Sequence, residues 1–323
     1  MQGIFITSLD FELMWGIRYQ RSVPGYRANI LGARQAIPAL LNLFHEYEIH
    51  ATWATVGLLF FSNKADMVRG CPQVTPGYEI NPRSGHNNIE AIGRDESHDP
   101  YHFGHSLIQM VRTFPGQEIG SHTFSHYYCL EPDQDAATFR ADLEAANRAA
   151  RGIGLEIQSL VFPLNQINMT YLKICADSGI KSYRGTEKAW FYAGGGKEGE
   201  SLAARAHRLL DAYVNISGHN TYTPEHTNGI MNLPASRFLR PHNPRLAMLD
   251  GLKFQRITSG IRHAAQHAKI YHLWWHPHNF GAYLDENLTF LRRILDFVSQ
   301  MRNQYGMKSL NMGETSQLSS HVH

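Results

Sequence analysis

Short apolar segments of strand length alternate with longer amphipathic segments along almost the whole of this 323-residue chain. We count about seven or eight strands, of which the clearest lie at 3–10, 50–57, 117–122, 160–162, 180–183, 270–276 and 307–311. Helical spacing of apolar residues predicts helices at 30–47, 103–114, 135–151, 168–178, 202–213, 245–267 and 285–305. Such alternation indicates an α/β protein with parallel strands. The strand count favours a barrel over two separate domains.

Two polar stretches interrupt this alternation, one near residues 62–102 and one near 193–234. Residues 72–101 are rich in glycine, proline and charged residues with little periodicity, and 193–200 and 216–234, on either side of the predicted helix at 202–213, are polar and turn-rich. Long loops on a barrel commonly build the binding pocket. We therefore predict one barrel domain over residues 1–323, with these two stretches as loop insertions.

The charge balance is nearly neutral, with 30 Lys+Arg against 28 Asp+Glu and a formal net charge of +2. It gives no whole-protein field for nucleic acid, so we predict no nucleic-acid partner. The three cysteines are widely separated and form no CxxC pair, which fits a reducing compartment. Without a signal-peptide pattern or a long apolar run, the sequence predicts no transmembrane segment and a cytoplasmic location. It gives no indication of oligomeric state.

Two acidic residues, Asp10 and Glu12, stand at the end of the first predicted strand. In an extended chain residues two apart point to the same side, so these carboxylates are expected to project together. Like charges held this close need a cation or a proton between them. Alternatively, the two acids cap the turn that follows the strand. The carboxyl ends of barrel strands carry catalytic residues, which favours a functional role.

Histidine is abundant, with 19 in the chain, and one pair has a spacing that suits a metal. His122 and His126 follow the strand at 117–122, and in a helical turn both rings would lie on one face. Pairs at this spacing also arise by chance among 19 histidines. Joined to Glu12, however, they give two nitrogens and a carboxylate, the ligand number of a catalytic site with an open position for water.

A third histidine, His276, ends the strand at 270–276 and is followed by Pro277, which stops regular strand pairing. By alternation it shares a face with Trp274. This position suits a general acid beside the metal. The alternative is a histidine that is hydrogen-bonded near the core.

Together these segments resemble the polysaccharide deacetylase family, carbohydrate esterase family 4, in its divergent bacterial branch. Asp10 and Glu12 resemble the Asp-x-Glu form of the first motif, and 122–126 matches the second motif, His-[Ser/Thr]-x-x-His, in full. The strand at 51–57 is similar to the family's second strand, and 273–277 to its late apolar strand that ends in histidine. The resemblance covers about residues 3–315.

The chain departs from the family pattern at the third motif, and no segment of it matches the usual fourth motif. The third motif normally reads Arg-x-Pro-Tyr, whereas residues 161–166 here contain neither arginine nor tyrosine. Arg184 and Arg240 are the two candidates to replace the arginine. The resemblance and these gaps together give a predicted set of substrate-binding residues: Asn165, Gln166, Trp274, His278 and Arg240.

The resemblance implies a distorted (β/α)7 barrel and a metal-dependent hydrolase. In this reading Glu12, His122 and His126 bind a divalent metal, most simply Zn²⁺, with Co²⁺, Ni²⁺, Mn²⁺ or Fe²⁺ as alternatives. Asp10 is then the general base and His276 the general acid, with His278 left as an alternative acid. Aromatic side chains at Trp53, Trp274 and Trp275 are candidates for a saccharide pocket, although aromatic residues in a barrel usually belong to the core.

The implied reaction removes an N-acetyl or N-formyl group from an amino sugar. With a cytoplasmic location, the expected substrate is a small nucleotide-linked or lipid-linked sugar in the synthesis of a surface polysaccharide such as lipopolysaccharide. Two alternatives remain open. One is a barrel that binds saccharide with little or no turnover, and the other is a hydrolase of a different linear or cyclic amide.

Overall fold

The structure is a computed structural model that describes residues 2–77, 86–192 and 201–318. Its strands are β1 (Ile4–Phe11), β2 (Ala51–Thr55), β3 (Gln117–Ser121), β4 (Ser159–Leu160), β5 (Ser182–Tyr183), β6 (Glu225–Thr227), β7 (Ile230–Asn232), β8 (Arg237–Phe238), β9 (Ile270–Trp275) and β10 (Lys308–Ser309). Its helices are α1 (Val23–Glu46), α2 (Lys64–Gly70), α3 (His105–Arg112), α4 (Ala136–Arg151), α5 (Leu172–Asp177), α6 (Leu202–Asp211), α7 (Asp250–Gln266), α8 (Pro277–Gly281), α9 (Leu284–Tyr305) and α10 (Met312–Leu318).

The strands form one curled sheet in the order β6-β7-β5-β4-β3-β2-β1-β9-β8, with β10 also paired to β1. Every pairing is parallel except that of β6 with β7. Residues 230–239 link the two sides of the sheet. The backbone N–H of Leu233 donates to β5, and that of Leu239 donates to Trp274 of β9. If 230–239 is taken as one strand, it forms a distorted barrel of seven strands together with β1 to β5 and β9, as predicted. The short strands β6 and β10 are additional to these seven.

The core lies inside the sheet and between the sheet and its helices. All eight residues of β1 are buried, as expected for a strand with neighbours on both sides. Trp53 and Trp275 are fully buried, and the ring of Phe44 from α1 packs edge-on against both. These two tryptophans therefore belong to the core, which is the one of the two alternatives that is usual for aromatic residues in a barrel.

The region near 193–234 is not simply a loop. Beyond residues 193–200, which lie outside the described part, it contains α6 and the hairpin of β6 and β7. The hairpin strands have only three residues each, and β6 is largely exposed, so no apolar alternation marked them. The other region, near 62–102, contains α2, while its residues 78–85 also lie outside the described part. The single-domain assignment stays a prediction.

Helix α1 begins seven residues before its predicted start. Ser22 is its N-cap and Pro24 lies in its first turn, where a missing N–H costs nothing. Residues 23–29 are mostly exposed and carry no apolar periodicity, which explains the late predicted start. Within the described ranges, no helix combines the length and the apolar character needed to cross a membrane. The cytoplasmic location stays a prediction.

Candidate active site

The carboxyl ends of several strands meet around one cavity of about 360 Å³. The parallel register places them at the same edge of the sheet, where polar side chains from distant parts of the sequence converge. The predicted residues that line this cavity are Asp10, Glu12, His122, His126, Asn165, Trp274, His276 and His278. The structure therefore brings together eight of the ten predicted site residues.

Glu12, His122 and His126 form a buried group able to hold a metal ion. Each offers one ligand atom, and these three atoms lie within 4.8 Å of one another. The Nε2 atoms of His122 and His126 lie 3.5 and 3.0 Å from Oε2 of Glu12. Such convergence of two imidazoles on one buried carboxylate is the pattern of a three-ligand catalytic metal site.

The hydrogen bond of His122 fixes the orientation of its ring. Its Nδ1 lies 2.8 Å from the carbonyl oxygen of Val161, which can only accept, so Nδ1 carries the proton. The lone pair on Nε2 then faces Glu12, as a metal ligand requires. Burial lowers the pKa of His126 to about 4, which leaves the ring of His126 neutral at pH 7.

The segment that carries both histidines is not helical, although a helical turn was expected to place both rings on one face. Thr123 and His126 have φ angles of +61° and +59°, in the left-handed region that is uncommon for residues other than glycine. These two kinks turn both rings toward Glu12. Strained backbone of this kind concentrates at functional sites and has to be held by its surroundings.

Asp142 of α4 holds this segment. Its Oδ1 accepts a hydrogen bond from the backbone N–H of Phe124 at 2.7 Å. Its Oδ2 accepts from the backbone N–H and the hydroxyl of Ser125, at 3.1 and 2.5 Å. The carboxyl group is fully buried, and burial raises its pKa to about 6. Asp142 thus fixes two of the three residues between His122 and His126, namely Phe124 and Ser125.

Arg184, which directly follows β5, is the one of the two candidate arginines that contacts Asp10. Its guanidinium makes two parallel bonds to Asp10, Nη1 to Oδ1 at 2.6 Å and Nη2 to Oδ2 at 2.8 Å. Nη2 also donates to Oδ1 of Asn165 at 3.1 Å. The guanidinium carbon lies 4.1 Å from the centre of a Trp274 ring, so an aromatic face covers it.

Ser8 and His272 hold Arg184 from the other side. Nη1 of Arg184 donates to the Ser8 hydroxyl at 3.0 Å, and that hydroxyl lies 2.8 Å from Nε2 of His272. Since Nδ1 of His272 donates to the carbonyl of Leu233 at 3.0 Å, its Nε2 accepts from Ser8. The arginine is therefore held in one orientation by a buried chain of hydrogen bonds.

Both carboxylates of the cavity are held in their charged form. Burial raises the pKa of Asp10, but the charge of Arg184 and its hydrogen bonds, together with the charges of His122 and His276, outweigh burial and lower that pKa. Burial likewise acts to raise the pKa of Glu12, but the charge of His276 and the close contacts with His122 and His126 hold that pKa well below its ordinary value.

His276 and His278 face the carboxylates from β9 and the start of α8. Nε2 of His276 lies 3.7 Å from Oδ2 of Asp10 and 3.6 Å from Oε1 of Glu12. The side chain of His276 is 23% exposed, whereas that of His278 is only 5% exposed, with its Nδ1 4.0 Å from Glu12. Of the two, His276 is the one that both contacts the carboxylates and opens to solvent.

Part of the cavity wall is aromatic and aliphatic. Trp274 and Phe238 pack with ring centres 4.7 Å apart, and Tyr26 and Ile17 also line the cavity. Asn165 supplies an amide, and its φ of +54° directs the chain sharply after β4. Pockets with apolar walls and a few fixed polar groups are typical of small-molecule sites.

The structure does not bring Gln166 and Arg240 to this cavity. Gln166 is fully buried, and its amide pairs with the backbone N–H of Leu130 at 3.1 Å and with Glu131 at 3.0 Å. Arg240 lies in the wall of another cavity, near Tyr213. A residue's place beside a strand end does not determine which cavity its side chain enters.

The sequence did not indicate Asp142 or Ser8, and it left Arg184 undecided with Arg240. Asp142 lies within a regular helix, where one acid looks like any other surface residue. The sequence position of Arg184 could have indicated its place in the site, because it directly follows a short buried strand and so stands at the same edge of the sheet as Asp10.

Comparison with known proteins supports the architecture. No protein-family model matches the chain, and no curated protein sequence matches it either. Among solved structures, a protein of Mycobacterium smegmatis assigned as a polysaccharide deacetylase is similar at 13% identity, with 99% of this chain and 91% of that chain covered and a TM-score of 0.61. An allantoinase is similar at 12% identity, with the same coverage and TM-score.

A protein of Pseudomonas aeruginosa PAO1 assigned as a polysaccharide deacetylase is similar at 12% identity over 99% of this chain and 91% of that chain, with a TM-score of 0.56. The chain has the polysaccharide deacetylase fold. The resemblance stated from the motifs is thus confirmed for the architecture, on nearly the full length of the chain. At these identities the likeness concerns the fold, so the chemistry rests on the residues of the cavity.

Proposed function

We propose that this protein is a metal-dependent hydrolase that removes an N-acetyl or N-formyl group from an amino sugar. The observation that carries the proposal is the buried group of Glu12, His122 and His126 beside a second carboxylate, Asp10, in an open cavity. A site that only holds a metal has no use for a second ionised acid positioned next to the ligands. A hydrolase needs one as its base.

The donor set fits a divalent metal, and we take Zn²⁺ as the ion. Two neutral imidazoles and one carboxylate match a catalytic zinc site that keeps a position open. The fixed orientation of His122 supports this, since its Nε2 lone pair is directed to the ligand group. Such an ion, when bound, supplies Lewis acidity toward water and toward an amide oxygen.

Asp10 is proposed as the general base. Arg184 keeps its carboxylate ionised and fixed, while each carboxylate oxygen retains a second lone pair that can take a proton from water. Asp10 lies beside His276 in the cavity wall, with 3.7 Å between Oδ2 and Nε2. A water and an amide carbon can therefore lie within reach of both groups.

His276 is proposed as the general acid that protonates the leaving amine. Its ring is partly exposed to the cavity and lies near both carboxylates. His278, almost fully buried behind it, is better suited to support the His276 ring, since their ring centres are 4.9 Å apart.

The aromatic wall suits a sugar ring, whose carbon–hydrogen faces pack on side chains such as Trp274 while its hydroxyls reach Asn165. We propose a saccharide in the synthesis of a surface polysaccharide as the substrate, with the amide carried on an amino sugar.

The test is an assay for release of acetate or formate from N-acyl amino sugars by protein loaded with Zn²⁺, together with the metal content of the purified protein. We expect about one ion per chain, and His122→Ala should lose most of it and most of the activity. His242→Ala is the matched control, because this half-buried histidine lies by Asp250 and away from the cavity.

Release of neither acid from any N-acyl sugar by metal-loaded protein would overturn the proposed reaction. A His122→Ala variant that retains the metal content of the wild type would overturn the ligand assignment separately.

A further inference from the structure

A second cavity, also of about 360 Å³, opens where the chain leaves β8. Its wall combines side chains from the end of α6, from the segment after β8 and from the residue before α9, among them Leu209, Tyr213, Arg240, Asn243 and Tyr283. The reaction proposed above uses none of these residues. Arg240 was expected to bind substrate from its sequence position, and the structure gives it a cavity of its own.

Arg240 is partly buried in this wall and has no acidic partner. Its side chain makes one hydrogen bond within the described residues, a long one of 3.4 Å from Nη2 to the carbonyl oxygen of Arg208. No Asp or Glu of the described chain lines the cavity. Burial, together with the positive charges of Arg208 and Arg237, lowers the pKa of Arg240. Its surroundings therefore oppose its charge and do not balance it.

Arg237, three residues earlier on the same segment, shows how this fold treats an arginine with a structural role. It is buried and bonded to Asp211 at 3.0 Å, and Arg256 binds the same carboxylate at 3.2 Å. A charge withdrawn from water is costly unless it is paired. Arg240 has no such partner in the chain, so its guanidinium is available to an anion that the protein does not itself supply.

Other groups of the wall add hydrogen-bond donors. Oδ1 of Asn243 accepts from the backbone N–H of Arg245 at 3.0 Å, which leaves the NH₂ group of Asn243 for a ligand. The Tyr213 side chain adds a hydroxyl. Asp250, an acid later in the same segment, is bonded to Lys253 at 2.8 Å. The cavity thus offers a positive charge and several donors, which suits an anion with oxygen atoms on more than one side.

The second cavity adjoins the catalytic cavity along the chain. Phe238 lines the catalytic cavity, and Arg240 lines the second one. Between them, the backbone N–H of Leu239 donates to the carbonyl of Trp274, so the chain continues beside β9. Two residues of extended chain span about 7 Å. A ligand of ordinary size can therefore reach from one cavity into the other.

We propose that the second cavity binds a phosphate group, held by the guanidinium of Arg240. A guanidinium donates two parallel hydrogen bonds to a phosphate, whose other oxygens can accept from the amide and hydroxyl of the wall. The phosphate has two chemical sources: the amino sugar that is deacylated carries it, or it belongs to a separate ligand. Only the first source rests on the proposed function, and it makes the substrate a phosphate-linked sugar.

The experiment measures binding of inorganic phosphate to the purified protein by calorimetry and ³¹P NMR. We expect saturable binding that weakens at least about tenfold in Arg240→Gln, as for loss of hydrogen bonds to a charged group. Arg245→Gln is the matched control, because it makes the same change at an exposed arginine that lines neither cavity, and it should bind as the wild type does.

Two further variants keep the result decisive. Phosphate can also reach a metal ion in the catalytic cavity, so the titration is repeated with His122→Ala, in which binding that depends on Arg240 should survive. Unfolding midpoints from circular dichroism separate lost binding from lost folding. If Arg240→Gln does not fold, Arg240→Met takes its place, because it keeps an apolar stem and removes the charge.

Hydrolysis of N-acetylglucosamine and of its 1-phosphate by Zn²⁺-loaded protein distinguishes the two sources. If the substrate carries the phosphate, kcat/KM in the wild type is about tenfold higher for the 1-phosphate, and the two sugars become equal in Arg240→Gln. Equal values in the wild type, together with phosphate binding that depends on Arg240, assign the cavity to a separate phosphate ligand.

The site and the proposed reaction can fail separately. Absence of saturable phosphate binding, or binding that is unchanged in the Arg240 variants, overturns the site and leaves the proposed reaction untouched. Phosphate binding that depends on Arg240 supports the site even if neither sugar releases acetate, and that result would count against the proposed reaction alone.

Discussion

Two buried aspartates, Asp10 and Asp211, are both held by arginine, but their surroundings differ in one respect. Asp211 accepts from Arg237 at 3.0 Å, from Arg256 at 3.2 Å and from the Ser217 hydroxyl at 2.8 Å. Two backbone N–H groups and the hydroxyl of Tyr192 complete its contacts. It lines neither the catalytic nor the second cavity.

Asp10 is held on one side only. Arg184 occupies one edge of its carboxylate, and the opposite side faces the cavity and His276. Attraction to arginine lowers the pKa of both aspartates against the effect of burial. A lowered pKa therefore does not distinguish a catalytic acid from a structural one. What distinguishes them is whether the carboxylate oxygens face a cavity with lone pairs that no protein donor uses.

The largest expected effect is on turnover in Asp10→Asn. The amide keeps the size of the carboxylate and one acceptor for Arg184, but it cannot take a proton from water. We expect hydrolysis to fall by about 10²–10⁴-fold, the usual contribution of a general base. Acetate or formate release by metal-loaded protein measures this, with the unfolding midpoint as the check on folding. Turnover within twofold of the wild type would remove Asp10 as the base.

The same substitution at the second aspartate, Asp211→Asn, should act on stability instead. It leaves Arg237 and Arg256 buried without a counter-charge, which costs about 3–5 kcal/mol of unfolding free energy. Denaturant titration at pH 7 measures the loss. Activity per folded molecule should stay near that of the wild type, and a fall in turnover without a fall in stability would reverse the comparison.

The stability difference between wild type and Asp211→Asn should also depend on pH in a defined direction. The pKa of Asp211 is lower in the folded than in the unfolded chain, so its contribution is fully present above the ordinary aspartate value near 3.8. It declines as the pH falls below that value. The two proteins should therefore become more alike in acid.

A smaller effect is expected from Asp142→Asn. The carboxylate of Asp142 is bonded to backbone N–H groups of Phe124 and Ser125 rather than to an arginine. The amide can still accept from Phe124, but its NH₂ group would face the N–H of Ser125, so the segment that carries His122 and His126 loosens. We expect metal affinity to fall about 10-fold, at the low end for supporting residues. Competition with a chelator measures it.

Asp133→Asn is the matched control for Asp142→Asn, because Asp133 is exposed in the same region of the sequence. Metal affinity equal to that of the wild type in Asp142→Asn would show that the strained segment holds its shape without this carboxylate.

Much of the catalytic cavity could be predicted from the sequence because its residues stand beside strand ends, which are visible as apolar segments. Asp10, Glu12, His122 and His276 were placed in this way, and the parallel architecture then required them to meet. The hairpin of β6 and β7 was missed because strands of three residues leave no periodic pattern. Gln166 was misplaced because its side chain turns away to pair with Glu131.

By itself, the sequence determined the main alternation of strands and helices, the barrel and the three residues able to hold a metal. These features depend on local patterns that repeat every two or four residues, and such patterns are written in consecutive positions. The tertiary structure decided that Arg184 rather than Arg240 binds Asp10, that Asp142 holds the histidine segment, and that Arg240 lines a second cavity. Those contacts join residues that are distant in sequence, so their geometry exists only once the sheet has curled.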